Sequence, residues 1–183
     1  MGCGPDNPNG LQMTVFRSGQ HVYTDLVFDE RHGGAPGLAH GGAISAACDD
    51  LFGFTLWIAG TPAVTRNLAI SYIQPVPLHQ PHRIVAGVDN REGRALHVSA
   101  TGTGEDGVVR FPASAMFVAV DVKHFAAHGA LGAFGEAEID RSVLRKRSIG
   151  DHVEQAALAG RPDFGDALER RQVAPLPRRR HVT

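Results

Sequence analysis

The stretch that decides the fold runs from residue 37 to residue 50 and reads GLAHGGAISAACDD. Its His-Gly-Gly turn opens a run of small and apolar residues, and the spacing predicts one helix over about residues 41–59. At about 1.5 Å of rise per residue, His40 and Asp49 lie roughly 13 Å apart along the helix axis, so one reacting centre cannot touch both. Two antiparallel copies of the helix would bring the turn of one chain to the acid of the other, which predicts a homo-oligomeric site.

The rest of the first two thirds of the chain has the character of strands around this helix. One helical face carries Ile44, Ala47, Cys48, Leu51 and either Phe54 or Thr55, and most other positions are small, so a sheet can approach the helix closely. Turn-forming residues separate six predicted strands, namely 11–16, 22–28, 63–74, 83–90, 95–103 and 108–122. A long buried helix with antiparallel strands is an α+β pattern.

The composition of the chain limits the classes of function that it can have. With 183 residues, 43% hydrophobic and 20% charged, the chain has room for one globular domain. We assign residues 1–137 to that domain and residues 138–183 to a polar tail, partly helical or disordered. A net charge of -1 argues against nucleic acid as a partner.

Two cysteines, Cys3 and Cys48, do not make a disulfide framework or a zinc site. The remaining histidines, among them His79 and His82, lack metal-ligand spacing and are expected at the surface, so no metal and no cofactor are predicted. The sequence has no apolar run of about 20 residues and no secretory signal pattern, so we expect a cytoplasmic protein without a membrane span.

The turn and the acids carry the candidate chemistry. The N-terminus of a helix offers unpaired N–H groups, and the glycine pair lets such a group approach a carbonyl oxygen of a ligand without a Cβ in the way. An acid among apolar residues in mid-helix is costly unless it is paired, exposed or functional, so Asp49 is a candidate general base toward water. Asp50 is the competing candidate, and we interpret it as a structural or solvent-facing acid.

Several motifs in order resemble those of the hotdog-fold acyl-CoA thioesterases, in the branch that includes the PaaI-like proteins and the thioesterase superfamily members. The resemblance extends over about residues 3–125. The motifs that carry it are Cys3–Pro8, the His40–Ile44 turn with Asp49, Ala63–Leu68, Tyr72–Pro77 and the hairpin residues Glu92–Arg94.

The resemblance implies a curved antiparallel sheet wrapped around one helix, with two subunits joined into a continuous sheet and the site at their interface. It implies that Asp49 is the catalytic general base or nucleophile and that Thr65 helps to place the attacking water. It further implies that the Gly42 N–H is the oxyanion donor and that His40 lines the thioester pocket. A homodimer or a dimer of dimers is expected.

Coenzyme A carries phosphates, so cations are expected near the mouth of the pocket. Arg83, Arg91 and Arg94 are the candidates, although arginines at the ends of hairpins are equally expected to be simply solvated. Ser71 stands where members of the family often contact the cofactor portion of the substrate. Ile73 and Gln74 depart from the family pattern, because basic residues are frequent at these positions.

The leading hypothesis is therefore hydrolysis of an acyl-CoA thioester to a free acid and coenzyme A, a reaction of fatty acid metabolism. A non-catalytic acyl-CoA sensor or scaffold on the same fold is the alternative, but such proteins tend to lose the acid and to carry a DNA-binding helix pair. A dehydratase acting on acyl thioesters is a third reading, and the helix-borne acid with a downstream Thr favours hydrolysis over it. The sequence leaves the acyl group open.

Overall fold

The computed structural model describes residues 7–121 and residue 124. Within them, one long helix is flanked by two strands on its N-terminal side and four on its C-terminal side. The elements are β1 (Val15–Ser18), β2 (His21–Val27), a short 3-10 helix (Glu30–His32), α1 (Gly41–Ile58), β3 (Ala63–Ile70), β4 (Pro81–Glu92), β5 (Ala95–Gly104) and β6 (Val109–Ala119).

All six strands form one antiparallel sheet in the order β1-β2-β4-β5-β6-β3. The long hairpins β4–β5 and β5–β6 form its centre. β3 lies at one edge, where β6 is its only partner within the part of the chain that the structure describes. The helix packs against β2, β3, β4 and β5. This arrangement confirms the α+β prediction of one helix wrapped by an antiparallel sheet.

The buried face of α1 follows the predicted spacing. Ile44, Ala47, Cys48 and Leu51 are all buried, and Thr55 rather than Phe54 continues the face toward the C-terminal end. Thr55 can do so because its hydroxyl donates to the Leu51 carbonyl one turn earlier, at 3.2 Å, so burial leaves no polar group unsatisfied there. A small-residue helix can therefore lie close to the sheet.

The largest differences between the predicted and the observed strand boundaries are at the start of the first strand and at the end of the third. The first strand spans Val15–Ser18 instead of residues 11–16, because Gln12 has a positive φ of 48° that interrupts extended backbone, although Leu11 and Met13 on either side are buried. The third strand ends at Ile70 instead of Gln74. Beyond it, the N–H groups of residues 73 and 74 both donate to the Arg110 carbonyl, and the chain bends toward the beginning of α1.

Gly102 packs directly against an aromatic ring of the core, with no space for a side chain. It lies opposite Phe111 across the β5–β6 ladder, and a Cβ built on it would be 2.1 Å from the nearest ring carbon. Because Phe111 is fully buried, its ring has no free space into which to move. We expect Gly102→Ala to lower the free energy of unfolding by about 1–3 kcal/mol, as overpacking of a core does.

Thermal unfolding of the variant checks this expectation, and Gly53→Ala is the matched control. A Cβ on Gly53 would meet nothing within 4 Å, and this glycine lies inside α1. Because alanine is favoured over glycine inside helices by up to about 1 kcal/mol, the control should melt at or above the wild-type temperature. Equal melting temperatures for the Gly102 variant and the wild type would contradict the packing argument.

Several sequence predictions lie outside the described residues. They concern Cys3 and the rest of the opening motif as far as residue 6, the domain boundary near residue 137 and the polar tail 138–183. In the part of the chain that the structure describes, no helix is both long enough and apolar enough to cross a membrane. The same residues contain no group of three or more His, Cys, Asp or Glu side chains arranged to hold a metal ion.

Candidate active site

The structure brings Asp49 and Thr65 together. The Thr65 hydroxyl donates to Oδ1 of Asp49 at 3.0 Å, across the gap between α1 and the beginning of β3. The β3–β6 register shifts immediately after Thr65, so that Arg66 is an extra residue in β3. Bulges of this kind re-aim neighbouring side chains and are frequent beside active sites. Both side chains are partly accessible, so the pair can meet a ligand.

The adjacent acid, Asp50, is half-buried like Asp49 and has an interaction of its own. On a helix, neighbouring residues point about 100° apart, so the two carboxylates cannot face the same site. The bond from Thr65 selects Asp49 as the acid that faces β3. This geometry agrees with the sequence argument for Asp49 over Asp50.

Cys48, the residue before this acid, is buried and is not a candidate nucleophile. Removal of the thiol from water, together with the neighbouring charge of Asp49, raises the pKa of Cys48 to about 12. Since the thiolate is the reactive form, this cysteine is inert at neutral pH. Its position on the buried face assigns it to the core.

The predicted His-Gly-Gly turn begins α1, and His40 caps the helix. The Gly42 N–H donates to Nδ1 of His40 at 2.8 Å, as an N-terminal backbone group donates to the oxygen of a conventional cap. Nδ1 is the acceptor of this hydrogen bond. The donor predicted from the sequence, Gly42, is therefore already engaged in this conformation.

The neighbouring Gly41 N–H is different. The His40 carbonyl accepts from the N–H groups of Ala43 and Ile44, at 2.9 and 3.2 Å, and so points into the helix. The N–H of the same peptide points the opposite way, out of the helix end. Among the described residues, no acceptor lies on it. The turn thus presents the Gly41 N–H as its available donor.

Tyr72 is a residue of this region whose role the sequence did not reveal. It follows β3, and its hydroxyl donates to the Gly41 carbonyl at 2.9 Å and lies 3.1 Å from Oγ of Ser45. The motif Tyr72–Pro77 contributed to the resemblance, but a tyrosine 31 positions after the turn carries no local signal of contact with it. Only the antiparallel course of β3 along α1 brings them together.

Within one chain, these residues form two separate groups. The acid group consists of Asp49 and Thr65, and the turn group consists of His40, Gly41, Gly42, Ser45 and Tyr72. Asp49 lies seven positions after Gly42 in the helix, which is roughly 10 Å of rise. The structure therefore leaves the acid and the turn apart in a single chain, as the distance argument from the sequence requires.

The predicted cationic residues are distributed along the sheet. Arg83 lies on the face of β4 opposite the buried residues, where it makes two bonds of 2.7 Å with the Asp25 carboxylate and covers the Tyr23 ring. Arg91 bonds to the Gly93 carbonyl at 3.1 Å, at the β4–β5 hairpin. None of these bonds involves the acid group or the turn group.

Arg94 lies nearer the acid. Its Nε donates to the Ala119 carbonyl at 2.9 Å, and Ala119 pairs with Ala63, two residues before Thr65. A surface groove of about 550 Å³ is lined there by Arg94, Ala119, Val120, Asp121 and His124. Ser71 is exposed, and its N–H donates to the Pro112 carbonyl at 3.0 Å, beside Tyr72.

His82 is a correction to the sequence analysis, which expected it at the surface. It is 1% exposed and lies beside the Phe28 ring, with Nδ1 2.9 Å from the Gln80 carbonyl. Burial lowers the pKa of His82, and the nearby charge of Arg110 acts in the same direction. The bond to Gln80 opposes them. The even spacing with Ile84 and Ala86 could have signalled its inward orientation.

Comparison with known proteins shows which family this chain is similar to. The family model of the thioesterase superfamily matches residues 36–110, a range that contains both the acid group and the turn group. Over 110 residues, the chain is 33% identical to acyl-coenzyme A thioesterase THEM4 of Mus musculus, with 60% of this chain and 43% of the relative covered. The chain spans less than half the length of the curated relatives it matches.

Solved structures show the same architecture. A thioesterase protein from Streptococcus pneumoniae, in complex with coenzyme A, has a TM-score of 0.56 and 20% identity, with 59% of this chain and 88% of that chain covered. The PaaI protein of E. coli has a TM-score of 0.57 and 12% identity, with coverages of 61% and 81%. The fold described above is therefore the hotdog fold, and the segment from residue 36 to residue 110 is similar to the thioesterase superfamily.

Proposed function

We propose that the protein hydrolyses acyl-CoA thioesters to a free acid and coenzyme A. The observation that carries this proposal is the Thr65–Asp49 hydrogen bond, which holds a carboxylate on the sheet-facing side of α1 in an open site. The mouse relative is an acyl-coenzyme A thioesterase, and the pneumococcal neighbour binds coenzyme A. An acid with a fixed hydroxyl is what hydrolysis of such a thioester needs.

The pair has a consistent role in catalysis. Thr65 donates to Oδ1 of Asp49, which leaves Oδ2 and the lone pairs of the hydroxyl for a water molecule. As general base, Asp49 takes a proton from that water while the water oxygen attacks the thioester carbon. The C–S bond then breaks, and the departing thiolate of coenzyme A takes the proton back from Asp49. As nucleophile, Asp49 attacks the same carbon directly, and the C–S bond breaks with departure of the coenzyme A thiolate. Water then hydrolyses the resulting anhydride to the free acid and the Asp49 carboxylate, and its second proton goes to the thiolate.

Negative charge develops on the thioester oxygen during attack and needs a donor. The Gly41 N–H fits this role in the conformation described, because it points out of the positive end of α1 and has no acceptor among the described residues. The Gly42 N–H, the donor expected from the sequence, serves the same oxygen only if His40 releases it. His40 lines the same end of the pocket.

A homodimer joined through β3 explains how the two groups cooperate. Among the described residues, β3 is an edge strand with one unpaired side, and such an edge is a template for another strand. Two copies of β3 paired antiparallel about a two-fold axis set the beginning of one strand beside the end of the other. Since Thr65 is near the beginning and Tyr72 follows the end, the acid group of one chain then approaches the turn group of the other.

Cations for the phosphates of coenzyme A follow from the same arrangement. Arg94 lines the groove near the beginning of β3, and we propose it as the first phosphate contact, with Ser71 as a polar contact beside the turn. Arg91 at the hairpin can reach a phosphate by leaving its bond to a backbone carbonyl. Arg83 is the weakest candidate, since Asp25 already neutralises it.

A panel of straight-chain, branched and aromatic acyl-CoA substrates tests the proposed function. Release of the coenzyme A thiol is followed with a thiol reagent, at equal concentrations of purified protein. We expect turnover of at least one class, with a kcat in the ordinary enzyme range of about 1–10³ per second. Binding of acyl-CoA by calorimetry without any thiol release would contradict hydrolysis and support the alternative of a sensor or scaffold.

A further inference from the structure

We propose that Tyr72 is a positioning residue of the active site, which fixes the His40–Gly41–Gly42 turn in the orientation that presents the Gly41 N–H to the thioester. This inference rests on the proposed function. It assigns a role to a residue that touches neither Asp49 nor Thr65 in this chain.

Two hydrogen bonds hold the same peptide group from opposite sides. The Tyr72 hydroxyl donates to the carbonyl of Gly41, and the N–H of the next residue, Gly42, donates to Nδ1 of His40. Carbonyl and N–H belong to one planar unit, so the two contacts together fix its orientation. Bonds arranged in series through one peptide also polarise one another.

This double hold matters because the turn contains two glycines. Without a Cβ, each glycine has access to more backbone conformations than any other residue. The His40–Gly41 peptide lies inside the ring closed by the bond from Gly42 to Nδ1, so its N–H cannot rotate freely while that bond persists. Tyr72 adds the external contact, from the segment after β3, that ties this ring to the sheet.

The ring of Tyr72 also explains why residue 41 is a glycine. A Cβ built on Gly41 would lie 3.0 Å from the phenolic oxygen and 3.1 Å from Cζ, closer than ordinary van der Waals contact. The space beside the Gly41 Cα is therefore filled by the phenol of Tyr72, and this contact is a reason for glycine at position 41 besides access of the substrate. Oγ of Ser45, one helical turn later, lies 3.1 Å from the hydroxyl oxygen of Tyr72 and is its second hydrogen-bond partner.

Exposure separates this role from that of a core residue. The side chain of Tyr72 is 52% exposed, so its loss removes little buried area. Removal of the hydroxyl alone should then affect the turn more than the stability of the fold. If Tyr72 served mainly in packing, its loss would instead affect the stability of the fold more than the turn.

The test is Tyr72→Phe, compared with Tyr23→Phe as matched control. The chain has only these two tyrosines, and Tyr23 lies on the outer face of β2, stacked on Phe16. We expect kcat of the Tyr72 variant to fall roughly tenfold, since misplacement of a site group costs rate. KM should stay within about twofold and the melting temperature within a few degrees, as for small surface changes. The control should match the wild type in all three.

A second readout does not depend on turnover. Backbone amide signals of Gly41 and Gly42 in ¹H–¹⁵N spectra should move in the Tyr72 variant and stay in place in the Tyr23 variant. Unchanged kcat and unchanged glycine signals would overturn the inference, and so would a rate loss fully accounted for by loss of folded protein. A wild-type protein that hydrolyses no acyl-CoA would refute the proposed function instead, while the glycine signals would still report whether Tyr72 fixes the turn.

Discussion

Replacement of Asp49 by asparagine should reduce kcat for acyl-CoA hydrolysis by roughly 10²–10⁴-fold, the range expected for loss of a general base. Asparagine keeps the shape of the side chain and an oxygen that can still accept from Thr65, so the bond of 3.0 Å has a replacement. It lacks the charge and basicity that activate water or attack the thioester. We therefore expect the variant to fold, to bind acyl-CoA and to turn it over very slowly.

Asp50→Asn is the control for this variant, because it makes the same chemical change at the next residue of α1. It should keep kcat within a few-fold of the wild type. Initial rates of thiol release, together with calorimetric binding of a non-hydrolysable acyl-CoA analogue, separate catalysis from binding. Comparable losses in both variants would refute the choice of Asp49, and full activity of Asp49→Asn would refute the mechanism.

The helix and its buried face were predictable because hydrophobic spacing and turn-forming residues are local signals. The predicted helix over residues 41–59 corresponds to Gly41–Ile58, and the hairpins of the later strands fell close to their predicted places. The start of β1 was not predictable in this way. Leu11 and Met13 are apolar and buried like strand residues, but the backbone at Gln12 turns between them, and residue type does not reveal that turn.

The residues of the candidate site were predictable only where the order of motifs along the sequence indicates them. Asp49 and Thr65 were named from their order in the family motifs, and the structure joins them by a hydrogen bond. The contact of Tyr72 with the turn depends on how β3 crosses α1, which is a property of the packed fold. The engagement of the Gly42 N–H depends on one rotamer of His40, and no sequence pattern encodes a rotamer.

The second large effect expected is recovery of activity when two inactive variants share a dimer. Asp49→Asn removes the acid, and Gly41→Val obstructs the turn, because even a Cβ at Gly41 would be 3.0 Å from the Tyr72 oxygen. Each variant alone should be nearly inactive. If each site combines the acid of one chain with the turn of the other, a hybrid dimer has one site with both defects and one with neither.

The amount of recovered activity follows from this count. Random association of equal amounts gives hybrids in about half of the dimers, each with one of two sites intact, so about a quarter of the wild-type activity should return. Hybrids isolated through two different affinity tags should show about half. Co-expression provides the mixture, and native mass spectrometry confirms the composition of the dimers.

A site contained in one chain predicts a different result from the same experiment. Every chain of the hybrid then has either a defective acid or a defective turn, and no recovery is possible. Tagged hybrids of wild type with Asp49→Asn serve as control, since both arrangements predict about half activity for them. The shared site therefore requires activity in the doubly defective hybrid comparable to that of this control. Within any single helix the acid and the turn are about 10 Å apart along the axis, which is too far for one reacting centre.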